Sequence, residues 1–124
     1  MLQHAPLYAY IPAKDVKRAR AFYEGKLGFK AKAELAGGVY YEFGQGTACF
    51  LYPTPNAGTS QASQAFWQMN DIEQEVNALK ALGVQFETYD IPGMGANNIL
   101  TGGGAKAAWF KDTEGNIMAI VQPL

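Results

Sequence analysis

The chain has 124 residues, a net charge of −1, and 48% hydrophobic against 17% charged residues, enough for one domain with a real core and unlike disordered or coiled-coil chains. Its lysines and arginines are scattered, which excludes a basic patch for nucleic acid or an anionic membrane surface, and no apolar run approaches the roughly 20 residues of a membrane span. No charged segment leads into an apolar one at the N-terminus and the single cysteine, Cys49, permits no internal disulfide, so a cytoplasmic protein is expected.

Leu7-Tyr8-Ala9-Tyr10-Ile11 alternates aliphatic and tyrosine side chains, which predicts a strand with Leu7, Ala9 and Ile11 toward a helix. Asp15 is a suitable N-cap for a helix with Val16, Ala19, Tyr23 and Leu27 on one face and Lys17, Arg18 and Arg20 on the other. Gly28 is placed to close it. Residues 30–36 and 39–43 read as strands joined by a hairpin at Gly37-Gly38, and 47–52 as a further strand stopped by Pro53.

A polar linker follows, with Asn56, Gly58, Ser60 and Ser63. Ala65 to Met69 then reads as a strand, and Asp71 as the cap of a helix with the stripe Ile72, Val76, Leu79 and Leu82. Val84 to Tyr89 is a predicted strand. Residues 91–104, with Gly102-Gly103-Gly104, form a long loop that is either a lid carrying Met94 and Ile99 or a solvent-exposed connector. The glycine run lacks the lysine-serine/threonine pair and helix start of a phosphate loop. Ala107 to Lys111 and Ile117 to Val121 complete the pattern around the turn 112–116, in which Asp112 and Glu114 are expected to act on local backbone amides.

The chain thus reads as strand–helix–strand–strand–strand, twice. Asp15-Val16 and Leu27-Gly28-Phe29 return as Asp71-Ile72 and Leu82-Gly83-Val84. Two such modules facing one another would enclose a cupped groove. Module one spans about 5–53, the linker about 54–63 and module two about 64–124 of a single 1–124 domain.

Alternation sorts the side chains of that groove. Tyr8, Tyr10, Tyr40, Glu42, Phe50 and Tyr52 from module one point into it, with Gln64, Phe66, Gln68, Ile117, Ala119 and Val121 from module two. Such a lining suits a flat, largely apolar or amphipathic organic molecule held by stacking and a few hydrogen bonds. The alternative is that the aromatics merely fill space between modules or subunits. Glu42 is a candidate general base or acid if the groove encloses it, and an ordinary exposed strand glutamate if not. Cys49 falls under the helix as a core thiol, and His4 near the N-terminus is given no role.

With Arg20-Ala21-Phe22-Tyr23 and Leu27-Gly28-Phe29 early, and Trp109-Phe110-Lys111-Asp112-Thr113-Glu114-Gly115-Asn116 late, the chain resembles the vicinal oxygen chelate superfamily. That group holds glyoxalase I, extradiol dioxygenases, fosfomycin-resistance enzymes and bleomycin-resistance proteins. The resemblance implies an α+β fold of two tandem βαβββ modules forming a cupped mixed sheet, and a homodimer. Its metal-dependent members place histidine and glutamate ligands at four strand positions, which fall here on Tyr8, Phe50 (within about a residue), Gln64 and Ala119. Phenylalanine and alanine cannot coordinate a divalent cation, and neutral tyrosine and glutamine are poor ligands. The expectation is therefore no metal and no cofactor. The resemblance then favours a small-molecule binding protein of the drug-sequestering, resistance type, with Trp109, Phe50, Phe66 and the tyrosines against the ligand. The segment 105–110 shows no clear alternation by which to orient Trp109. The alternative is an enzyme, either a metal-free isomerase or cyclase using Glu42, or a metal-dependent lyase or dioxygenase.

Overall fold

The computed structural model describes residues 1–124. Module one consists of β1 (Ala9–Ala13), α1 (Val16–Gly25), β2 (Ala31–Leu35), β3 (Gly38–Glu42) and β4 (Ala48–Pro53). Module two consists of β5 (Ser63–Gln68), α2 (Ile72–Ala81), β6 (Leu100–Gly102), β7 (Ala105–Lys111) and β8 (Ile117–Pro123). Each builds a four-stranded sheet, in the orders β1-β4-β3-β2 and β5-β8-β7-β6. In each, the first and last strands pair in parallel across the helical crossover while the other pairs are antiparallel. No helix is long and apolar enough to cross a membrane.

The helices begin where the aspartates dictate. Asp15 accepts from the Arg18 N–H at 3.0 Å and Asp71 from the Gln74 N–H at 3.2 Å, satisfying N–H groups that a helix start leaves unpaired. Helix α1 stops at Gly25, and the left-handed residue Gly28 (φ +76°) lies beyond its end. In α2, Ile72, Val76 and Leu79 are buried, but Leu82 follows the last helical residue and is half exposed. Leu7 also departs from expectation: β1 starts only at Ala9, and Leu7 lies in solvent.

Two turns differ from the sequence reading. The β2–β3 hairpin turns at Ala36-Gly37 (φ +51° and +76°), one residue early. Gly38 instead opens β3, where a Cβ would meet the Leu51 carbonyl at 2.2 Å and the Phe50 ring at 2.8 Å. In module two, Val84–Tyr89 forms no strand and contributes a single bridge from Phe86 to Phe110. The partner of β7 is β6, from within the presumed loop, because Gly103 and Gly104 (φ +63° and +83°) make a tight local hairpin. Ile99 just before β6 is buried, and Asn98 donates to the Glu87 carbonyl and to Thr88. Much of the 91–104 segment is therefore sheet and packed support.

The helix-facing sides of both sheets, together with α1 and α2, form one core of 18 buried residues. Aromatic contacts join the modules through it: Phe22 with Phe110 (ring centroids 6.3 Å), Phe29 with Trp67 (5.5 Å) and Phe43 with Trp67 (5.7 Å). Cys49 is buried here, and burial pushes its thiol up to about 12.

A polar clamp accompanies these contacts. Asp112 does accept from the local Glu114 and Asn116 N–H groups, both at 2.9 Å, but its second oxygen accepts from the buried Tyr23 hydroxyl at 2.6 Å. Glu114 reaches further still: it accepts from the Asp15 N–H at 2.8 Å and from Arg18 at 2.8 and 3.0 Å. Burial alone would raise its pKa, yet the bonds from Arg18, the Asp15 amide and Thr113 outweigh that and hold it near 2. The turn thus ties module two to the start of α1, correcting the expectation of a purely local role. The linker joins in, since the Gly58 N–H donates to Asn116 and Ala57 is fully buried.

Candidate functional site

The sides of the sheets that face away from the helices carry the candidate residues. In module one, Tyr10, Phe50 and Tyr40 stand directly across from one another on β1, β4 and β3. Their rings meet edge-on or tilted, with centroids 6.1 Å apart for Tyr10–Phe50 and 4.8 Å for Tyr40–Phe50. Tyr52 extends the row against Tyr10 at 4.8 Å, and Tyr8, just before β1, leans on Tyr40 at 6.2 Å. The five module-one aromatics named from the sequence therefore form one continuous surface. Tyr10 is 66% exposed. Within the chain only the Tyr23 and Tyr41 hydroxyls donate a hydrogen bond, so the four on this surface are free to serve another molecule.

In module two, Phe66, Ala119 and Trp109 lie in register on β5, β8 and β7. Ala108 and Phe110 are buried on the helix side, which turns Trp109 outward and settles the orientation the sequence left open. Ala119 is a small, buried floor between two large rings, and Phe66 stands 61% exposed. Gln64 is exposed at a β-bulge between Ser63 and Ala65. Tyr89 packs edge-on against Trp109 at 5.5 Å. Sequence reasoning missed it because Val84–Tyr89 read as a regular strand, whose alternation does not carry into the irregular segment the chain adopts.

The two surfaces do not face one another within the chain. They lie on the far sides of sheets whose near sides share the core, and the aromatic contacts between modules run through that core. A cleft of about 320 Å³ does separate the β3–β4 turn, with Phe43, Gly44, Gln45 and Thr47, from Phe66 and Gln68 on β5. It extends the module-two surface sideways.

Glu42 ends β3 in the open. Its side chain is 60% exposed and the Lys32 Nζ lies 3.7 Å away, so the apolar enclosure that would prime a carboxylate for proton transfer is missing. Metal chemistry fares no better on donor grounds. Tyr8, Phe50, Gln64 and Ala119 offer no histidine or carboxylate, and nowhere do three or more His, Cys, Asp or Glu side chains gather. His4 sits exposed in a short 3-10 turn. These residues do not fit a divalent ion.

Residues 4–120 match the Glyoxalase/Bleomycin resistance protein/Dioxygenase superfamily. The chain belongs to that family. Among solved structures it is similar to TnmS3, an antibiotic binding protein from Streptomyces sp. CB03234, at 20% identity and a TM-score of 0.71, over 100% of this chain and 99% of that one. A glyoxalase/bleomycin resistance protein/dioxygenase from Alicyclobacillus acidocaldarius superposes with a TM-score of 0.72 at 17% identity, over 98% and 92% of the two chains. The fosfomycin resistance protein FosX from Listeria monocytogenes, in complex with Mn(II) and sulfate, does so with 0.72 at 11% identity, over 98% and 91%. At such identities the likeness is one of fold. No curated protein sequence matches significantly.

Proposed function

We propose that this protein is a cytoplasmic, homodimeric binding protein that sequesters a flat, apolar or amphipathic organic molecule without a metal. The site is the pair of aromatic surfaces, one from each of two copies. The observation that carries this reading is the exposure of Tyr10 and Phe66 at 66% and 61%, on surfaces that cannot meet within one chain. Both surfaces border sheet edges that are unpaired, at β1 and at β5. Unpaired edges beside exposed aromatic patches invite a second chain. Joining β1 of one copy to β5 of the other in a two-fold arrangement would place Tyr8, Tyr10, Tyr40, Phe50 and Tyr52 opposite Gln64, Phe66, Trp109 and Ala119 of the other copy, twice per dimer. Stacking would supply the affinity and the free tyrosine hydroxyls and Gln64 the polar contacts. TnmS3, an antibiotic binding protein of the same fold, lends the class of function some support. Glu42, beside Lys32 in the open, gives an enzymatic reading none.

The test uses Nile red, a flat neutral dye, as the probe. Tyr10→Ser and Phe66→Ser each change an exposed ring, so each variant folds, and each should bind the dye at least about tenfold more weakly. Mixing equal amounts of the two variants and allowing subunits to exchange should then restore tight binding in about a quarter of all sites, because a mixed dimer has one doubly altered and one intact site. A mixture no better than either variant alone would place both residues in one chain's site, or in none, and would overturn the reading.

A further inference from the structure

The core between the modules is not completely filled. A cavity of about 180 Å³ lies between the end of α1, helix α2 and the inner side of the second sheet, with Leu27, Phe29, Trp67, Met69 and Phe110 among its walls. Seven of its eight lining residues are hydrophobic, and the eighth is Glu75. That glutamate stands out among its kind. The chain has seven glutamates, and six of them, Glu24, Glu34, Glu42, Glu73, Glu87 and Glu114, are ion-paired with a lysine or arginine. Glu75 alone has no cationic partner, although it is half buried at the cavity. A carboxylate on the rim of an apolar hole, with no lysine or arginine nitrogen within 4 Å of it, is complementary to a cation whose body is apolar.

We propose that this cavity is a second ligand site, separate from the outer aromatic surfaces, and that it takes a small arylalkylamine in its protonated form. The volume sets the size of the body: an engineered cavity of about 150 Å³ holds benzene, so this one holds a single six-membered ring with a short arm. The walls set its character, since Phe29, Trp67 and Phe110 surround the ring with aromatic faces and edges. Glu75 sets the charge, accepting the ammonium where the arm leaves the cavity. The two sites are on opposite sides of β5: Trp67 points inward to the cavity, while Phe66 points outward.

This arrangement gives each site its own reporter, because the chain has two tryptophans, Trp67 in the cavity and Trp109 on the outer surface. The experiment titrates the protein with phenethylamine and follows both indole N–H signals by NMR, with ethylbenzene and phenylacetate as comparison probes. Phenethylamine should move the Trp67 signal saturably and leave that of Trp109 in place. Ethylbenzene should bind the same site more weakly, and phenylacetate should not bind. Glu75→Gln, a change at a half-buried rim, should weaken the amine about tenfold, the scale of one charged contact, and leave ethylbenzene unchanged. Leu79→Phe should fill the cavity and remove both. Tyr10→Ser should affect neither. The proposal is overturned if Trp67 shows no saturable shift, if phenylacetate binds as well as the amine, if Glu75→Gln leaves the amine's affinity intact, or if Trp109 is the signal that moves. The last result would assign the amine to the outer surface and leave the function proposed for that surface standing.

Discussion

Phe66 and Phe110 stand on the same four-stranded sheet and face opposite ways. Phe110 is 1% exposed and touches Phe22, Trp67 and Phe86, whereas Phe66 is 61% exposed and touches no other ring. The same contrast runs through the first sheet, where Tyr41 is fully buried with its hydroxyl on Glu24 while neighbouring Tyr40 is only half-buried, against Phe50 on the outer side. No buried side-chain nitrogen or oxygen anywhere lacks a hydrogen-bond partner. The polar groups of the inner sides are thus all satisfied, whereas the outer tyrosine hydroxyls have no partner within the chain. The packing that holds the two modules together lies on one face of these strands and the exposed rings on the other, so the outer face can be altered with little effect on the core.

The sharpest way to break that contrast is to truncate both phenylalanines. Phe110→Ala should destabilise the protein by about 3–5 kcal/mol, since it removes a large side chain from a core already bordered by an apolar cavity. Phe66→Ala should cost under about 1 kcal/mol in the monomeric fold, because its ring is already largely hydrated. Urea denaturation of both variants at low protein concentration checks this. Equal losses would mean that the outer surface is part of the core.

The clamp between the modules comes next in size. Glu114 has its folded pKa lowered from 4.5 to about 2, so the folded state binds its proton less readily than the unfolded state. Its contribution is therefore full above about pH 4.5 and is lost as the pH falls toward 2. A shift of that size corresponds to roughly 2–3 kcal/mol after allowance for Arg18, half of whose side chain is in water. Glu114→Gln should lose about that much at pH 7, and the gap to the native protein should close between pH 4.5 and 2. Urea midpoints measured across that range decide it: a gap that stays constant would trace the loss to packing, not to the charge.

How much of this was legible in the sequence follows from the range of each interaction. The caps Asp15 and Asp71 act on residues three positions away, and strand alternation acts over two, so both modules and the outer surface of the first could be read directly. The Tyr23–Asp112 and Asp15–Glu114 bonds join residues 89 and 99 positions apart, and no local pattern announces them. For the same reason, the turn at 112–116 looked self-contained. Periodicity also sorts the faces of a sheet without fixing how two sheets are set against each other, which is why the groove was expected inside one chain. The appearance of β6 where Val84–Tyr89 was expected has a different cause: the segment joined to β7 by a two-residue glycine turn closes the shorter loop and takes the edge at Ala105–Ala107, while Phe86 bridges the same edge only at Phe110.

The smallest expected effect concerns Glu42, the one ionisable residue singled out on the outer side. Its partner Lys32 is 3.7 Å away and both side chains are more than half exposed. Such a pair contributes little because water screens the charges and two long side chains must be held in place. Glu42→Gln should therefore change stability by no more than about 0.5 kcal/mol, and it should leave Nile red affinity as it was, because it alters neither the rings nor the tyrosine hydroxyls assigned to the ligand. Fluorescence titration of this variant beside Tyr10→Ser makes the comparison on one surface. If Glu42→Gln weakened the dye as much as Tyr10→Ser does, the ligand would have to reach the open end of β3. The outer surface would then hold a charge-dependent contact as well as a stacking platform, and the division between a polar inner clamp and an apolar outer surface would fail at that point.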